Sequence, residues 1–343
     1  TGSYNNDPSG KAVRTMKEQL PSVGVTSFLA TSGATTLDDV YEGIKSKGEI
    51  LNTQKPGDGA TCLGVHLEGP FVNEKRAGMM NVSCFLEPSV EVMQSFIDAQ
   101  VSPRTIKLMT MAPELEGSLP VIKLCKQEGV QINIGHSDAT FEEIAELKEY
   151  GLGGVTHMFS GMRGFHHREL GVAGAALHFD ALYCEFAKQT GWTVKPEAFA
   201  MAYKLKGPDR IIMTTDNGAL ALAEKERYHY TRKETLIPNG DFITLRHDDG
   251  SEITYNRTNY EEIKDIELRY IGSIRNLIKN VRPSIHDIIK ITASNCARYL
   301  GIEDRKGSIE LGKDADLLVV DDHFNLKATY CMGVLSYMED DNV

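Results

Sequence analysis

Short apolar segments rich in β-branched residues alternate along the chain with longer segments whose apolar positions recur at helical spacing. The apolar segments predict seven strands, over residues 25–31, 61–68, 105–112, 130–136, 154–157, 182–187 and 210–216. Amphipathic patterns between them predict helices over 37–47, 89–99, 118–128, 140–150 and 196–205. Thr140 with Glu143 predicts a capping box at the start of one of these helices. This alternation predicts parallel strands joined by helical crossovers.

The pattern changes after the seventh predicted strand. Residues 239–255 alternate around Asp249-Gly250 and predict a β-hairpin, which two helical stretches follow over 260–279 and 284–300. Residues 307–320 and 328–337 then predict strands with no helix between them. We therefore predict a first domain over 1–303 and a small β domain over 304–343.

Four polar residues fall at the carboxyl ends of predicted strands: Glu68, His136, His157 and Asp216. Each side chain can bind a metal or carry a proton. In a barrel of parallel strands and helices, the carboxyl ends of the strands form the catalytic face. The shared position therefore indicates one site built from all four residues.

Composition narrows the class of protein. The chain has 343 residues, of which 41% are hydrophobic and 25% charged, as in ordinary globular proteins. Its net charge of −11 disfavours binding to nucleic acid, because an acidic surface repels phosphate backbones. No apolar run reaches the ~20 residues that a membrane helix needs, and the polar start at Thr1 does not resemble a signal peptide.

Six cysteines are few for this length, and none forms a Cys-x-x-Cys pair. A disulfide framework or a cysteine-based zinc site is therefore not expected. We interpret the cysteines as reduced thiols of a cytoplasmic protein.

The residues at the strand ends resemble those of the N-acetylglucosamine-6-phosphate deacetylases of the amidohydrolase superfamily. The matching segments, in chain order, are HLEGPF (66–71), IGHSDA (134–139), THMF (156–159), TTD (214–216) and KGSIELGKDADL (306–317). The resemblance covers nearly the whole chain and implies a (β/α)8 barrel of the TIM type with a small β-sandwich appendage. The family's barrel also has a first strand that ends in a His-x-His motif, which this sequence does not contain. The count of seven predicted strands agrees with that difference.

An amide carbonyl is a poor electrophile, and a bound metal promotes its hydrolysis near neutral pH by polarising the carbonyl and activating water. Glu68, His136 and His157 form a ligand set suited to a catalytic zinc, and iron would also accept it. Asp216 is then the expected proton carrier, from the attacking water to the leaving amine. The resemblance implies the same roles, and implies that Arg168 binds the phosphate of the sugar, which a guanidinium suits.

The substrate shell departs from the family pattern. QTGWT (189–193) places Thr193 where the family has a histidine that orients the substrate carbonyl. Ser160 and Gly161 follow the His-Met-Phe segment in place of Asn-Ala, and Met80 stands where the family has a substrate-binding histidine. We expect these residues, with Arg168, to bind the substrate.

Other polar residues have a structural explanation beside a functional one. We expect His66 to pack inside the barrel, and we disfavour Lys107 as a carboxylated metal ligand because it lies mid-strand. His166 and His167 lie in the loop of Arg168 and either line the site or border it. Trp192 would stack on a sugar or pack under its loop. Asp314 and Asp316 are expected at a turn and a strand edge.

The leading hypothesis is a metal-dependent enzyme that converts N-acetylglucosamine 6-phosphate to glucosamine 6-phosphate and acetate. We also expect it to form a homodimer. Two alternatives remain open at this stage: an amidohydrolase for another N-acyl amino sugar or amide, and a catalytically weakened protein that binds sugar phosphates.

Overall fold

The seven predicted strands form one parallel sheet in a computed structural model, which describes residues 7–78, 80–217, 224–229, 234–257 and 259–339. The strands are β1 (Ser27–Gly33), β2 (Thr61–Glu68), β3 (Ile106–Met111), β4 (Gln131–Ile134), β5 (Leu152–Val155), β6 (Tyr183–Phe186) and β7 (Ile211–Met213). Each pairs with the next along the chain, from β1 to β7. The helices of this part are α1 (Lys11–Gln19), α2 (Leu37–Thr53), α3 (Val90–Asp98), α4 (Ser118–Glu128), α5 (Phe141–Leu147), α6 (Gly171–His178) and α7 (Pro196–Lys206).

The sheet is curled, because side chains from strands far apart in the sheet order meet on its inner face. Leu108, Tyr183 and Ile212 form one apolar cluster, against which Leu29 of β1 packs. Tyr299, from the helices after β7, joins the same cluster. The predicted parallel sheet is therefore confirmed as a curled sheet of seven strands, which is consistent with a barrel of the TIM type, and the eight-stranded barrel stays a prediction.

Three strands end two or three residues earlier than the sequence predicts. β4 ends at Ile134 and β5 at Val155, and His136 and His157 have φ values of 47° and 34°, which no strand residue adopts. β7 ends at Met213, three residues before Asp216, whose φ is 40°. The sequence pattern could not reveal these turns, since the residues concerned are neither glycine nor asparagine.

Five helices of this region lie where the sequence predicts them, and two were not predicted. The capping box at Thr140 and Glu143 is present. The sequence analysis missed α1 and α6. In α6 six of the eight residues are buried, so this helix has no polar stripe that would give it a helical period.

After β7 the chain forms a four-stranded antiparallel sheet in the order β11-β10-β9-β8. Its strands are β8 (Arg227–His229), β9 (Glu234–Asn239), β10 (Phe242–His247) and β11 (Glu252–Asn256), and the predicted hairpin is its β10–β11 pair. The helices that follow are α8 (Tyr260–Leu268), α9 (Tyr270–Val281), α10 (Ile285–Ile289) and α11 (Asn295–Tyr299), with a π-helical turn at Lys290–Ser294. The predicted helix over 260–279 is two helices, because Arg269 is extended with φ −121°.

The chain closes with a three-stranded antiparallel sheet of β12 (Leu317–Val320), β13 (Leu326–Cys331) and β14 (Val334–Met338). The hydroxyl of Thr329 donates to the carbonyl of Pro21, and Asp316 accepts from Ser27 of β1. Among the described residues this region is a single layer, so the predicted sandwich and the boundary at 303/304 stay predictions. The outer ends of the two predicted domains, 1–6 and 340–343, lie outside the described residues. No helix in the described ranges is long and apolar enough to span a bilayer.

Candidate metal centre

Glu68, His136 and His157 meet at the carboxyl ends of β2, β4 and β5. Oε1 of Glu68 lies 3.2 Å from Nε2 of His136 and 3.0 Å from Nε2 of His157. The two Nε2 atoms are 3.1 Å apart, and both imidazoles are buried. One carboxylate and two imidazoles that converge in this way are a donor set for a divalent transition metal.

The second nitrogen of each ring is held by a backbone carbonyl. Nδ1 of His136 is 2.8 Å from the carbonyl oxygen of Arg76, and Nδ1 of His157 is 3.1 Å from that of Ser160. Each Nδ1 must carry a hydrogen to donate there, which leaves the lone pair of Nε2 directed at the other ligands. Three acceptor atoms then face one another, and such an arrangement requires a cation or a proton between them.

The electrostatics of the cluster favour a positive charge at the same point. Burial alone would lower the pKa of His157, but the Glu68 carboxylate raises it to about 10. Burial alone would raise the pKa of Glu68, but the two imidazoles, which donate to its carboxylate when Nε2 is protonated, hold it well below its usual range. A metal ion supplies the same positive charge, so the residues present fit a bound divalent metal.

Three of the four predicted chemical residues occupy left-handed backbone. His136, His157 and Asp216 have φ values of 47°, 34° and 40°. Residues without glycine's freedom adopt this region at a cost of about 1–3 kcal/mol each, and such strain clusters at functional sites. The turns at His136 and His157 direct both imidazoles toward Glu68, and the Asp216 carboxylate is near enough to help raise the pKa of His157.

Two glycines allow loops to lie against the histidine rings. A Cβ on Gly161, whose φ is 56°, would lie 3.2 Å from Cε1 of His136 and 3.4 Å from Cε1 of His157. A Cβ on Gly78, whose φ is 58°, would lie 3.5 Å from Cε1 of His136. Gly161 was predicted to bind substrate, and the structure brings it into contact with both imidazoles.

Ion pairs that the sequence analysis missed fix these loops in place. Asp138 accepts from Arg76 at 2.7 Å and from Arg163 at 2.8 Å. Glu114 accepts from the hydroxyl of Ser137 at 2.7 Å and from the side chain of Asn73 at 3.0 Å. Because Arg76 also supplies the carbonyl that holds His136, this network helps to orient that imidazole. IGHSDA (134–139) contains Asp138, but nothing in the sequence identifies its partners.

Below the metal ligands, polar side chains form a connected network inside the barrel. Nε2 of His66 is 2.7 Å from the hydroxyl of Thr110, which is 2.6 Å from that of Thr156. Asn133 donates to Thr156 and accepts from Tyr299. Burial lowers the pKa of His66, which favours its neutral form. These contacts support the packing role predicted for His66.

Asp216 is exposed, and its backbone is held by a lysine that the sequence analysis missed. The ammonium of Lys188 donates to the carbonyl of Asp216 at 2.9 Å and to the side chain of Asn217 at 2.8 Å. Lys188 is buried, and Glu267 lies 3.6 Å from its Nζ. The side chain of Asp216 thus stands at the open end of the barrel, on a backbone anchored from below.

The altered loop after β6 contacts the predicted substrate residues. The hydroxyl of Ser160 donates to the carbonyl of Thr193 at 2.9 Å, and the hydroxyl of Thr193 donates to the carbonyl of Lys188, also at 2.9 Å. Trp192 stacks on Tyr260 at 6.0 Å between ring centroids, with an interplanar angle of 14°. This favours packing over sugar stacking as the role of Trp192.

Arg168 stands exposed in a tight turn. The backbones of His166 and Glu169 pair through two hydrogen bonds of 3.0 Å, and Nε of Arg168 donates to the ring of His167 at 3.2 Å. Met80 is partly buried, and its amide donates to the carbonyl of Ala77 at the end of the loop over His136. Within the described part of the chain, no hydrogen bond joins either residue to Glu68, His136 or His157, and both residues lie on loops.

Three residues belong to other parts of the molecule. Lys107 lines a cavity at the amino-terminal ends of β2 and β3, at the other end of the barrel from Glu68, so it is no candidate for a bridging ligand. Asp314 and Asp316 accept from Lys306, which ties the segment before β12 to the turn after α11.

Known proteins share this arrangement of sequence and fold. The sequence model of the amidohydrolase family matches residues 12–336. The N-acetylglucosamine-6-phosphate deacetylase of Bacillus subtilis (strain 168) is 30% identical over 338 residues, which cover 98% of this chain and 81% of that protein. The enzyme of the same name from Lysinibacillus sphaericus is 31% identical over 317 residues, or 90% of this chain and 75% of that one. The crystal structure of N-acetylglucosamine-6-phosphate deacetylase from Thermotoga maritima superposes with a TM-score of 0.80 at 27% identity, over 97% of this chain and 85% of that one.

Proposed function

The chain belongs to the amidohydrolase family, and we propose that it hydrolyses the acetamide of N-acetylglucosamine 6-phosphate to give glucosamine 6-phosphate and acetate. The observation that carries this proposal is the convergence of Glu68, His136 and His157 on one point. The names of the similar proteins, which span nearly the whole chain, support the choice of substrate.

Glu68, His136 and His157 would hold one divalent metal, which we propose to be zinc, with iron as the alternative. When bound, such a metal supplies a Lewis acid for the amide carbonyl and a nucleophile from water at neutral pH. The carbonyls of Arg76 and Ser160 keep both imidazoles in the tautomer that binds through Nε2.

Asp216 would carry the proton in this reaction. Its carboxylate accepts a proton from the attacking water and then donates it to the leaving amine, which would otherwise depart as an unstable anion. The lysine at 188 holds the backbone of Asp216, so the carboxylate is positioned without losing access to the open end of the barrel.

The loops above the cluster would bind the sugar phosphate. The guanidinium of Arg168 suits a phosphate, and its terminal nitrogens have no partner among the described residues. Gly161 and Ser160 lie beside the two imidazoles and would border the acetamide. Met80 and Thr193 would complete the pocket around the sugar.

A different N-acyl amino sugar or amide is the second candidate substrate, and one contact favours it. Thr193 stands where the family has a carbonyl-orienting histidine, and its hydroxyl is already bonded to the carbonyl of Lys188. A hydroxyl used in this way donates nothing to a substrate oxygen. The shell would then suit an amide that does not require this donor.

Metal analysis tests the centre directly. We expect wild-type protein and Glu74→Gln to contain about one zinc or iron per chain. Glu68→Gln should contain little metal, because it loses the only carboxylate among the three ligands. Glu74 is an exposed glutamate of the loop that follows β2, which makes it a matched control. Equal contents near zero in all three proteins would refute the metal centre and favour a catalytically silent protein that binds sugar phosphates.

A substrate panel tests the specificity. Acetate release is measured from N-acetylglucosamine 6-phosphate, from its unphosphorylated form and from other N-acylated amino sugars and their phosphates. The first compound should give the highest kcat/KM. A higher value for another amide, with metal present, would establish the second candidate instead.

We further propose a homodimer in the cytoplasm, with a barrel domain over 1–303 and a second domain over 304–343. The six cysteines are unpaired, which supports a reducing compartment. Light scattering on the purified protein would measure its mass in solution, and a monomer would contradict the dimer.

A further inference from the structure

A cavity of about 210 Å³ lies at the end of the barrel remote from the metal centre. It forms where the starts of β2 and β3, the end of α2 and the turn after α11 meet. Thr61, which lines the cavity, is the first residue of β2 and Glu68 is the last, so roughly 20 Å of strand lies between these two residues. The two sites therefore share no residue.

The cavity carries a concentration of positive charge. Arg104, Lys107 and Arg305 all line it, in a chain whose net charge is −11. Arg305 also pairs with Asp314 at 2.9 Å. Among the described residues, Arg104 and Lys107 have no ion pair and no side-chain hydrogen bond. Burial lowers the pKa of Lys107, and the two neighbouring guanidinium groups lower it further. Such repulsion is relieved when an anion binds between the three cations.

A second, independent observation concerns a hydroxyl. Thr61 lines the same cavity and is 94% buried, since its relative exposure is 6%. Its Oγ1 is buried and has no hydrogen-bond partner within the described part of the chain. A buried hydroxyl without a partner destabilises the folded state, because its lost bonds to water are not replaced. Phosphate oxygens are acceptors for such a hydroxyl as well as for the cations.

The backbone makes room for the lysine. Gly64 has φ 142°, and a Cβ there would lie 2.8 Å from Cγ of Lys107 and 2.4 Å from the carbonyl oxygen of Thr105. The register of β2 shifts against β1 and against β3 next to this point. Bulges of this kind occur beside functional sites, where they redirect side chains.

We propose that this cavity binds a phosphate group, either inorganic phosphate or the head of a phosphomonoester. Lys107 and Arg104 provide the charge, Arg305 closes one side, and Thr61 donates a hydrogen bond. The volume is below the 300 Å³ or more of typical ligand pockets, which fits a small anion. The proposal is independent of the substrate of the metal centre.

Calorimetric titration with inorganic phosphate and with methyl phosphate tests this site in the full chain. All proteins carry Arg168→Ala, which removes the other expected phosphate contact. We expect this background to bind one equivalent of at least one anion. Adding Lys107→Gln or Arg104→Gln should weaken binding about tenfold or more, since a charge-assisted hydrogen bond contributes about 1.5–3 kcal/mol. Adding Lys204→Gln, which alters an exposed lysine on α7, should leave the Kd unchanged.

Thr61→Val separates a role of the Thr61 hydroxyl in phosphate binding from a role in stability. Removing an unpaired buried hydroxyl should maintain or raise the Tm in phosphate-free buffer, yet it should weaken phosphate binding. The relative affinities of the two anions identify the source of the phosphate group. Absence of binding in the background, or equal Kd values in the Lys107, Arg104 and Lys204 variants, would overturn the proposal.

Discussion

The cluster of Glu68, His136 and His157 and the proposed substrate shell are built in different ways. Glu68, His136 and His157 stand at or just beyond strand ends, are largely buried, and have each imidazole fixed by a carbonyl. Arg168 stands exposed on a turn, and the hydroxyl of Thr193 is bonded within its own loop. The cluster is determined by the barrel, whereas the shell depends on loops. The comparison teaches that this chain can keep the chemistry while its loops decide the substrate.

Asp216→Asn should have the largest effect on turnover. Asparagine keeps the shape but cannot carry a proton, so kcat should fall by about 10²–10⁴-fold while metal content is retained. Asp180→Asn changes another exposed aspartate and should leave kcat unaltered. If Asp216→Asn retained more than about a tenth of the wild-type rate, the loss would be too small for removal of the proton carrier. Another group would then transfer the proton.

Gly161→Ala tests whether a change in a loop of the proposed substrate shell also weakens metal binding by the cluster. The added Cβ would press on both imidazoles and require a left-handed alanine, so metal affinity should fall about 10–100-fold. Affinity is measured by competition with a chelator. Gly164→Ala, in the same loop, has nothing within 4 Å of its Cβ and serves as the control. Equal affinities would show that the loop yields to the methyl group.

Arg168→Ala should affect the shell alone. We expect kcat/KM for the phosphorylated substrate to fall about tenfold, because one charge-assisted contact to phosphate is lost. Its value for the unphosphorylated sugar should hardly change, and the metal content should stay constant. Similar losses for both sugars would mean that Arg168 shapes its turn without binding phosphate.

Thr193→His should give the smallest change, and its sign is informative. An imidazole reaches further than a hydroxyl and could stabilise the developing oxyanion, so turnover of N-acetylglucosamine 6-phosphate should rise several-fold. Thr193→Val, which adds no donor, should not produce this gain. A loss in Thr193→His together with high wild-type turnover would show that another donor, such as His166 or His167, serves the carbonyl.

The sequence predicts the cluster better than its surroundings. Strand ends can be located from apolar periodicity, and Glu68, His136 and His157 each lie within two residues of an observed strand end. The left-handed turns at His136 and His157 are invisible to periodicity, because tertiary contacts impose them. Lys188 and Asp138 were missed since their partners, Asp216 and Arg163, lie 28 and 25 positions away.

In the fold, too, some elements could be predicted from the sequence and others could not. Helix α5 was predicted because its capping box is visible in the sequence, but α6 lacks a polar face and was not predicted. The strand predicted over 307–320 is formed only at Leu317–Val320, because the preceding aspartates pair with Lys306 instead of continuing a ladder. Local sequence patterns thus predict elements such as α5, which carry their own capping signal. Side-chain pairing between segments decides where an element such as β12 begins.

The stacking of Trp192 on Tyr260 has an optical consequence. Trp192 is the only tryptophan in the chain, so indole emission originates from a single position. That position is next to Thr193, whose backbone carbonyl accepts a hydrogen bond from the hydroxyl of Ser160. Emission intensity and anisotropy will therefore respond to events in this loop and not to an average over the molecule. A ligand that enters the substrate shell would register in the spectrum of the unlabelled protein.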